Sequence, residues 1–461
     1  MTAKRRAFAE RREITGYSQE ALARSVGVQP TTVGRWERGE TCPQPGCRPK
    51  LADALSVSVE ELDIMLAEGQ PVDDGQSHSS EPREPDTAED LPEDPECDPV
   101  LALPWNHRGT VEAATVLRGD DGRVKRRKFV FLSGITLTAP AHQWLVHEPG
   151  PLISSLSGHR ISAGLVDRLT GMIAELRKMD DVAGGGSVLS LAQHEFSWVA
   201  GLLDHALYDE LTGRRLHVVL AELGQLCGWT AYDTGQYGLS QRYYLAALRA
   251  THSADDRPLG AHVLCCMAEH AARQGAAREA VTLIETALAG TRGRQSPSLL
   301  AELHNQQAYA FATLGDTSGC TSAISQARTQ IERLAPATEP SWLYWVNPAN
   351  MTAEVGNCLR QLGHAEQAAV ILRGGIAMFD DALPRGRLGY LVCLADTLTR
   401  PGKQRDLDAA TALGIEAVQL AEGLDSARSV GLISGLYHQM KPHAKTPTVG
   451  EFLERARGFV V

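Results

Sequence analysis

Residues 18–39 read SQEALARSVGVQPTTVGRWERG, and this stretch decides the fold of the N-terminal region. Ser18 is a favourable N-cap, and the apolar residues that follow recur at the spacing of one helical face. Gly27 permits a sharp turn after the last of them. Pro30 suits the first position of a second short helix, in which Trp36 faces inward. The stretch therefore predicts two short helices joined by a glycine turn.

This arrangement is typical of the helix-turn-helix motif, whose second helix enters the major groove of DNA. An ordinary helical hairpin shares the pattern, but the flanking sequence favours the motif. Further helices are predicted over Lys4–Thr15, Cys47–Leu55 and Ser58–Leu66. The first of them is predicted to expose Arg5, Arg6, Arg11 and Arg12. Five short helices in about 70 residues bury enough apolar surface to fold by themselves, although only modestly.

Residues 3–68 resemble the lambda-repressor-like domains of the XRE family of helix-turn-helix proteins, and the resemblance covers roughly a seventh of the chain. The matching residues are Gly16, Ser18, Gln19, Leu22, Ala23, Gly27, Val28, Val33, Trp36, Glu37, Gly39, Leu51, Ala52 and Leu55. The resemblance implies a five-helix domain over residues 1–68 that binds double-stranded DNA. It also implies that Arg12 and Glu37 form a partly buried ion pair between the first helix and the recognition helix.

The resemblance assigns DNA contacts to seven residues by position: Gln19, Gln29, Thr31, Thr32, Arg35, Arg38 and Arg48. Gln19 corresponds to the residue that holds a phosphate beside a helix N-terminus. Arg35 is predicted to read a base, because a guanidinium forms a bidentate pair with guanine O6 and N7. Arg38 and Arg48 are predicted to contact phosphates, which adds affinity without sequence information.

Two residues depart from the family pattern. Gln29 stands where Ser or Thr commonly caps the recognition helix, so we expect a weaker cap. Gly34 lies inside that helix and costs it up to about 1 kcal/mol relative to alanine. Gly34 either lets the helix approach the DNA backbone closely or is only tolerated there.

The formal net charge of the 461-residue chain is −11, which is unusual for a DNA-binding protein until it is divided along the sequence. Residues 1–50 hold ten Lys and Arg against five Asp and Glu, so the basic charge lies in the predicted reading domain. Residues 70–99 hold eleven acids, one Arg and six prolines. This composition predicts a disordered acidic linker over residues 69–100.

Glycines recur at a fixed spacing in the second half of the chain. Gly235, Gly275 and Gly315 are each 40 residues apart, and Gly363 follows after 48. Each glycine is predicted to mark the turn between two helices. The pattern resembles tetratricopeptide repeats with a longer period, in which stacked helix pairs form a solenoid.

We therefore predict an all-α protein in which residues 159–461 form a tetratricopeptide-like α-solenoid. A fifth helix pair is predicted over Leu388–Leu424, with a terminal cap near Phe452. Residues 101–158 are expected to connect the linker to the solenoid. Within them, residues 115–131 fit either a hairpin or a broken helix.

A solenoid of this type presents a concave face built mainly from the first helix of each pair. The polar residues predicted to line this groove are Tyr232, His262, Asn305, Tyr309, Tyr344, Asn347 and Arg360. Asparagine side chains in such a groove can hydrogen-bond the backbone of an extended peptide. The alternative is that these residues are ordinary packing or surface groups.

The two regions together resemble a broad class of bacterial transcriptional regulators that includes peptide-responsive receptors. The resemblance implies a sequence-specific homodimer whose repeat domain senses a peptide, a small molecule or a protein partner. The alternative is a DNA-localised scaffold that binds a partner protein without sensing a small ligand. The sequence contains no HExxH motif, GxSxG elbow or phosphate-binding glycine loop, so no enzymatic activity, cofactor or metal is expected.

Cysteine content and hydropathy bear on the location of the protein. Nine cysteines, including the adjacent Cys265 and Cys266, suit a reduced cytoplasm better than a disulfide framework. No run reaches the roughly 18 apolar residues of a membrane span. The predicted location is therefore the cytoplasm, in association with the nucleoid.

Overall fold

In the computed structural model, the chain divides into two compact units, Met1–Pro92 (unit 1) and Glu93–Val461 (unit 2). The structure describes residues 5, 8–9, 11–12, 15, 17–26, 28–38, 41, 43, 48–55, 57, 62, 65–66, 98–117, 131–150, 152, 160–335, 338–379 and 384–460. Over these residues every regular element is a helix, which confirms the predicted all-α class. The predicted linker lies outside them, apart from residues 98–100.

Unit 1 contains α1 (Gln19–Val26), α2 (Pro30–Glu37) and α3 (Arg48–Leu55). Ser18 Oγ accepts a hydrogen bond from the backbone N–H of Ala21 at 3.1 Å, which confirms the predicted N-cap of α1. The buried apolar side chains form one core: Phe8, Leu22, Ala23, Val26, Val33, Trp36, Leu51, Ala52, Leu55, Leu62 and Leu66. The helix-turn-helix predicted from local periodicity is therefore present.

The prediction that Arg5 and Arg12 are exposed was wrong, since both side chains are buried. For Arg12, the partly buried ion pair implied by the family resemblance is the correct expectation. Arg5 Nη1 donates a hydrogen bond to the backbone oxygen of Trp36 at 3.2 Å. Arg12 Nε donates to Glu37 Oε1 at 2.5 Å. Each guanidinium satisfies an acceptor at the C-terminal end of α2.

Unit 2 begins with α4 (Pro99–Ala102), α5 (His107–Leu117) and α6 (Ile135–Val146). The later helices are α7 (Ala163–Ala183), α8 (Gly185–His205), α9 (Glu210–Asp233), α10 (Tyr237–Ala254), α11 (Arg257–Arg273), α12 (Ala277–Gly290), α13 (Pro297–Leu314), α14 (Thr317–Ile331), α15 (Pro348–Gln361), α16 (Ala365–Ile376), α17 (Pro384–Thr399), α18 (Leu407–Ala421), α19 (Ala427–Met440) and α20 (Pro447–Arg455). Single 3₁₀ turns lie at Ser341–Leu343, Lys441–His443 and Ala456–Phe459. The fifth predicted pair corresponds to α17 and α18, and α20 carries the predicted cap residue Phe452.

Helices α9 to α18 pack as consecutive pairs, and the first helices of successive pairs also pack on one another. Four of the inter-helix turns contain a glycine of positive φ: Gly235 (77°), Gly275 (86°), Gly315 (75°) and Gly363 (81°). A left-handed residue directly after a helix closes the last turn, and glycine adopts this conformation without a Cβ clash. The predicted turn positions are therefore confirmed.

Helices α5 and α6 pack directly on the helix pairs. Trp144 of α6 is fully buried and packs against Gly260 and Gly290. A Cβ atom at either glycine would collide with the Trp144 indole. Arg249 of α10 donates to the backbone oxygens of Val100 and Pro104 at 3.0 and 2.8 Å. The segment that the sequence presented as a connector thus contributes to the same core as α9 to α14.

The last pairs of unit 2 return to its first long helices. Helix α17 contacts α7, and α19 contacts α9. The backbone N–H of Asp425 donates to Ala183 O at 2.8 Å, and that of Gly186 donates to Asp425 O at 2.9 Å. Gly186 has no space for a Cβ, because Asp425 occupies it. The helix pairs therefore curve until the two ends of the array meet.

The contact between the two ends is held by a closure cluster, which we define as Asp180, Asp233, Arg385, Arg428 and Trp229. Arg385 donates to both carboxylate oxygens of Asp180 at 2.6 and 2.5 Å, across 205 positions of sequence. Arg428 Nε donates to Asp233 Oδ1 at 3.0 Å. Burial opposes the ionised form of Asp233, but the two guanidiniums outweigh it and hold its pKa below the usual range.

Candidate nucleic-acid interface and ligand cavity

Helix α2 has one buried and one exposed side. Val33 and Trp36 are buried in the core of unit 1, whereas Thr31 and Arg35 are exposed and Thr32 is half-buried. Pro30 occupies the first turn, and the N-cap residue Gln29 makes no side-chain capping bond. The predicted weak cap is therefore confirmed. The exposed side of α2 presents hydroxyl and guanidinium groups, which are suited to contacts with base edges.

Glu37, at the end of α2, organises the side chains behind this surface. Its Oε1 accepts from Arg12 Nε at 2.5 Å, which confirms the predicted ion pair. Its Oε2 accepts from Gln19 Nε2 at 2.6 Å. Arg12 also donates to the backbone oxygen of Tyr17 at 2.7 Å. Glu37 therefore connects Arg12, which precedes α1, with the start of α1 and the end of α2.

Gly34 is buried beneath two long side chains. A Cβ at this position would lie 3.2 Å from Arg38 Nη1 and 3.3 Å from Gln19 Oε1. The absence of a side chain thus allows Gln19 and Arg38 to cross the surface of α2 at this point. This contact gives Gly34 a packing role that does not require DNA.

Of the three residues predicted to contact phosphates, the structure describes the side chains of two. Gln19 and Arg38 are exposed on the same side of unit 1 as Gly34. Arg48 begins α3, but its side chain lies outside the part of the chain that the structure describes. Lys50, two residues later, is exposed and was not among the predicted contacts. The exposed cations agree with the positive charge of residues 1–50.

Unit 2 contains a partly open cavity of about 230 Å³ at the inner side of the helix pairs. Three of the predicted groove residues line it: His262, Asn305 and Tyr344. Tyr344 donates a hydrogen bond to Asp181 of α7 at 2.5 Å. The loop between α14 and α15 thus reaches from one wall of the cavity to the other.

The other four predicted groove residues lie outside the cavity lining. Tyr232 and Tyr309 are buried between helices of the wall. Asn347 caps α15 by accepting from the backbone N–H of Asn350 at 3.0 Å. Arg360 forms an ion pair with Asp396 at 2.8 Å. These four side chains therefore have the packing and capping positions of the alternative interpretation. The first helix of each pair also contacts neighbouring helices, so its polar residues need not face the cavity.

Glu302 and Gln306, which were not among the predicted groove residues, line the cavity together with Asn305. A signal was available, because positions three and four apart share one face of a helix. Glu302 Oε1 contacts His262 Nδ1 at 2.8 Å, and the Trp342 ring stacks on the imidazole with centroids 5.0 Å apart. Burial opposes the imidazolium, but the Cys266 sulfur and the Glu302 carboxylate raise the pKa of His262 to about 10.

The described part of the chain has neither a metal-binding cluster nor a membrane-spanning helix. No three His, Cys, Asp or Glu side chains come together as a metal-binding group there. Over the same residues, no helix has both the length and the apolar character required to cross a membrane.

A short helix that exposes Thr31 and Arg35 above a tryptophan-centred core defines unit 1 as a helix-turn-helix domain. The family model described as "Helix-turn-helix" matches residues 8–62. A Bacillus subtilis (strain 168) protein with the name "Uncharacterized HTH-type transcriptional regulator YazB" is 37% identical over 51 residues, which are 11% of this chain and 74% of that protein. The chain belongs, through its N-terminal unit, to this helix-turn-helix family.

Proposed function

We propose that this protein is a sequence-specific, DNA-binding transcriptional regulator that reads base edges with α2. The observation that carries the proposal is the orientation of α2, which buries Trp36 and leaves Thr31 and Arg35 in solvent. The match to the helix-turn-helix family and the name of the Bacillus relative support it. Gln19, Gln29, Thr32, Arg38 and Arg48 complete the proposed DNA-contacting set.

The test is selection of genomic fragments by the full-length protein at physiological salt, followed by binding measurements with two variants. Arg35→Ala is expected to remove about 1–3 kcal/mol of discrimination between the selected site and unrelated duplex, because a bidentate base contact is lost. Arg38→Ala is expected to weaken binding to all duplexes and to make the slope of log K against log salt shallower by about one.

Arg278→Ala is the control, because Arg278 is exposed on α12 of unit 2 and its removal changes the net charge equally. It should leave both discrimination and salt slope unchanged. Equal loss of discrimination in the Arg35 and Arg38 variants would contradict the assignment of α2 to the groove. Failure to enrich any fragment would contradict the regulator proposal itself.

We also propose that the helix pairs of unit 2 are tetratricopeptide-like, that the chain acts as a cytoplasmic homodimer, and that unit 2 senses an effector. Two reading heads on successive half-sites would multiply affinity through tethering. The effector role is supported by the polar cavity between the helix pairs. Sedimentation of the full chain with and without selected DNA tests the homodimer proposal. The expected result is a complex of two chains per operator.

A further inference from the structure

We propose that the cavity of unit 2 binds a small organic cation, whose primary ammonium or guanidinium group is held by Glu302 and Asn305. This inference deepens the effector part of the proposed function and rests on it for biological meaning. The binding itself is argued from unit 2 alone.

Three polar atoms on one face of α13 have no hydrogen-bond partner. They are Glu302 Oε2, Asn305 Oδ1 and Gln306 Nε2. Their residues are 3%, 6% and 7% exposed and line the cavity, so the atoms are shielded from bulk water. Buried polar groups in folded proteins are nearly always paired. Hydrogen-bond donors on a bound molecule would satisfy these two unpaired acceptors, one of which is a carboxylate oxygen.

The fixed charges of the cavity wall favour a positively charged donor. Five carboxylates line the cavity: Asp180, Asp181, Glu269, Glu302 and Glu354. Four arginines also line it, but Arg177 pairs with Glu222 and Arg428 with Asp233, and neither partner belongs to the lining.

The remaining positive charges are Arg273, Arg385 and the imidazolium of His262, which leaves two carboxylates in excess. A proton exchanged between His262 and Glu302 does not alter this balance. Burial raises the pKa of Glu302 and Glu354, as expected where a carboxylate lacks full compensation. A bound cation would supply the missing charge.

The apolar part of the lining limits the body of the ligand. Trp342, Trp345, Phe379 and Tyr390 present aromatic surface to the cavity, and aromatic faces attract organic cations. The volume of about 230 Å³ is below the roughly 300–1,000 Å³ typical of drug-sized sites, which indicates a small ligand. The unpaired donor Gln306 Nε2 suits a hydroxyl or carbonyl oxygen on the same molecule.

The first test uses the full-length wild-type protein and matched probes in calorimetry and thermal unfolding. The cationic probes are phenethylamine, tyramine and agmatine, and the controls are neutral 2-phenylethanol and anionic phenylacetate. At least one cation should bind and raise the Tm of unit 2 by about 4 °C at 100 times its Kd. If no cation binds better than the alcohol and the carboxylate, the proposal is overturned.

The second test locates the binding with isosteric variants. Glu302→Gln should weaken the bound amine about 10–100-fold, because a hydrogen bond to a charged group is lost. Asn305→Asp should strengthen it by adding a second carboxylate, and this readout survives if Glu302→Gln fails to fold. Glu285→Gln, at an exposed position on α12, is the control and should have no effect. Unchanged affinity in Asn305→Asp would place the amine elsewhere and overturn the assignment.

A third measurement separates this inference from the proposed function. The affinity of the protein for its selected DNA is compared with and without a saturating cationic probe. An amine that binds in the cavity without changing DNA affinity supports the cavity assignment and contradicts the effector role. If the protein without probe binds no selected DNA, the regulator proposal is contradicted. The calorimetric result on the cavity of unit 2 does not depend on that outcome.

Discussion

Replacing Arg385 with leucine is expected to lower the free energy of unfolding of unit 2 by about 3–5 kcal/mol. Its guanidinium forms a bidentate pair with Asp180, lies 3.7 Å from Asp233 and covers the Trp229 ring at 5.3 Å. The side chains of Arg385, Asp180 and Asp233 are at most 8% exposed. Leucine would leave two buried carboxylates with too little positive charge. An uncompensated buried charge destabilises a protein more than the removal of both partners does.

Arg387→Leu is the matched control, because it lies two positions further along α17 and also pairs with a carboxylate. Its partner is Glu416 at 2.6 Å, and the two side chains are 23% and 38% exposed. Partly solvated pairs contribute roughly 0–1 kcal/mol, so the control should cost little. Urea unfolding followed by circular dichroism measures both variants. Equal losses would show that the closure cluster does not hold the two ends of the array together.

Trp36→Ala is expected to cost unit 1 about 3–5 kcal/mol, because a large buried aromatic side chain is removed from a small core. Trp36 is 3% exposed and belongs to the core that also contains Leu22 of α1 and Leu51 of α3. A domain of this size has roughly that much stability in total. The variant should therefore lose its unit 1 unfolding transition and its DNA binding, while the unit 2 transition remains.

Trp198→Ala provides a same-residue comparison. Trp198 lies on α8 and is 44% exposed, so its removal creates no internal cavity and should cost under about 1 kcal/mol. Differential scanning calorimetry resolves the two transitions, and fluorescence anisotropy with the selected DNA reports binding. Retention of DNA affinity in Trp36→Ala would refute the role of the tryptophan-centred core.

The helix-turn-helix and the glycine turns between helix pairs were predicted correctly, because both depend on interactions between residues close in the sequence. The cap at Ser18, the proline at the start of α2 and the burial of Trp36 follow from preferences within one or two turns of helix. The turn at Gly275 follows in the same way, because only glycine adopts a positive φ there without strain. Such features are independent of the distant chain and can be recognised in the sequence.

The candidate cavity was predicted only in part. His262, Asn305 and Tyr344 line the cavity, whereas the Arg360 guanidinium pairs with Asp396 in the neighbouring helix. A polar residue on the first helix of a pair can face either the cavity or the next pair. Sequence spacing does not distinguish these two environments, since the curvature of the array decides between them.

The sequence by itself determined the glycine turns between the helix pairs and the helix-turn-helix of unit 1, because caps, turns and apolar periodicity act over a few residues. Tertiary structure alone decided the burial of Arg5, the packing of Trp144 into unit 2 and the pairing of Arg385 with Asp180. These contacts join residues that are far apart in the chain, and their energies depend on desolvation. Desolvation is a property of the assembled core and not of any single segment.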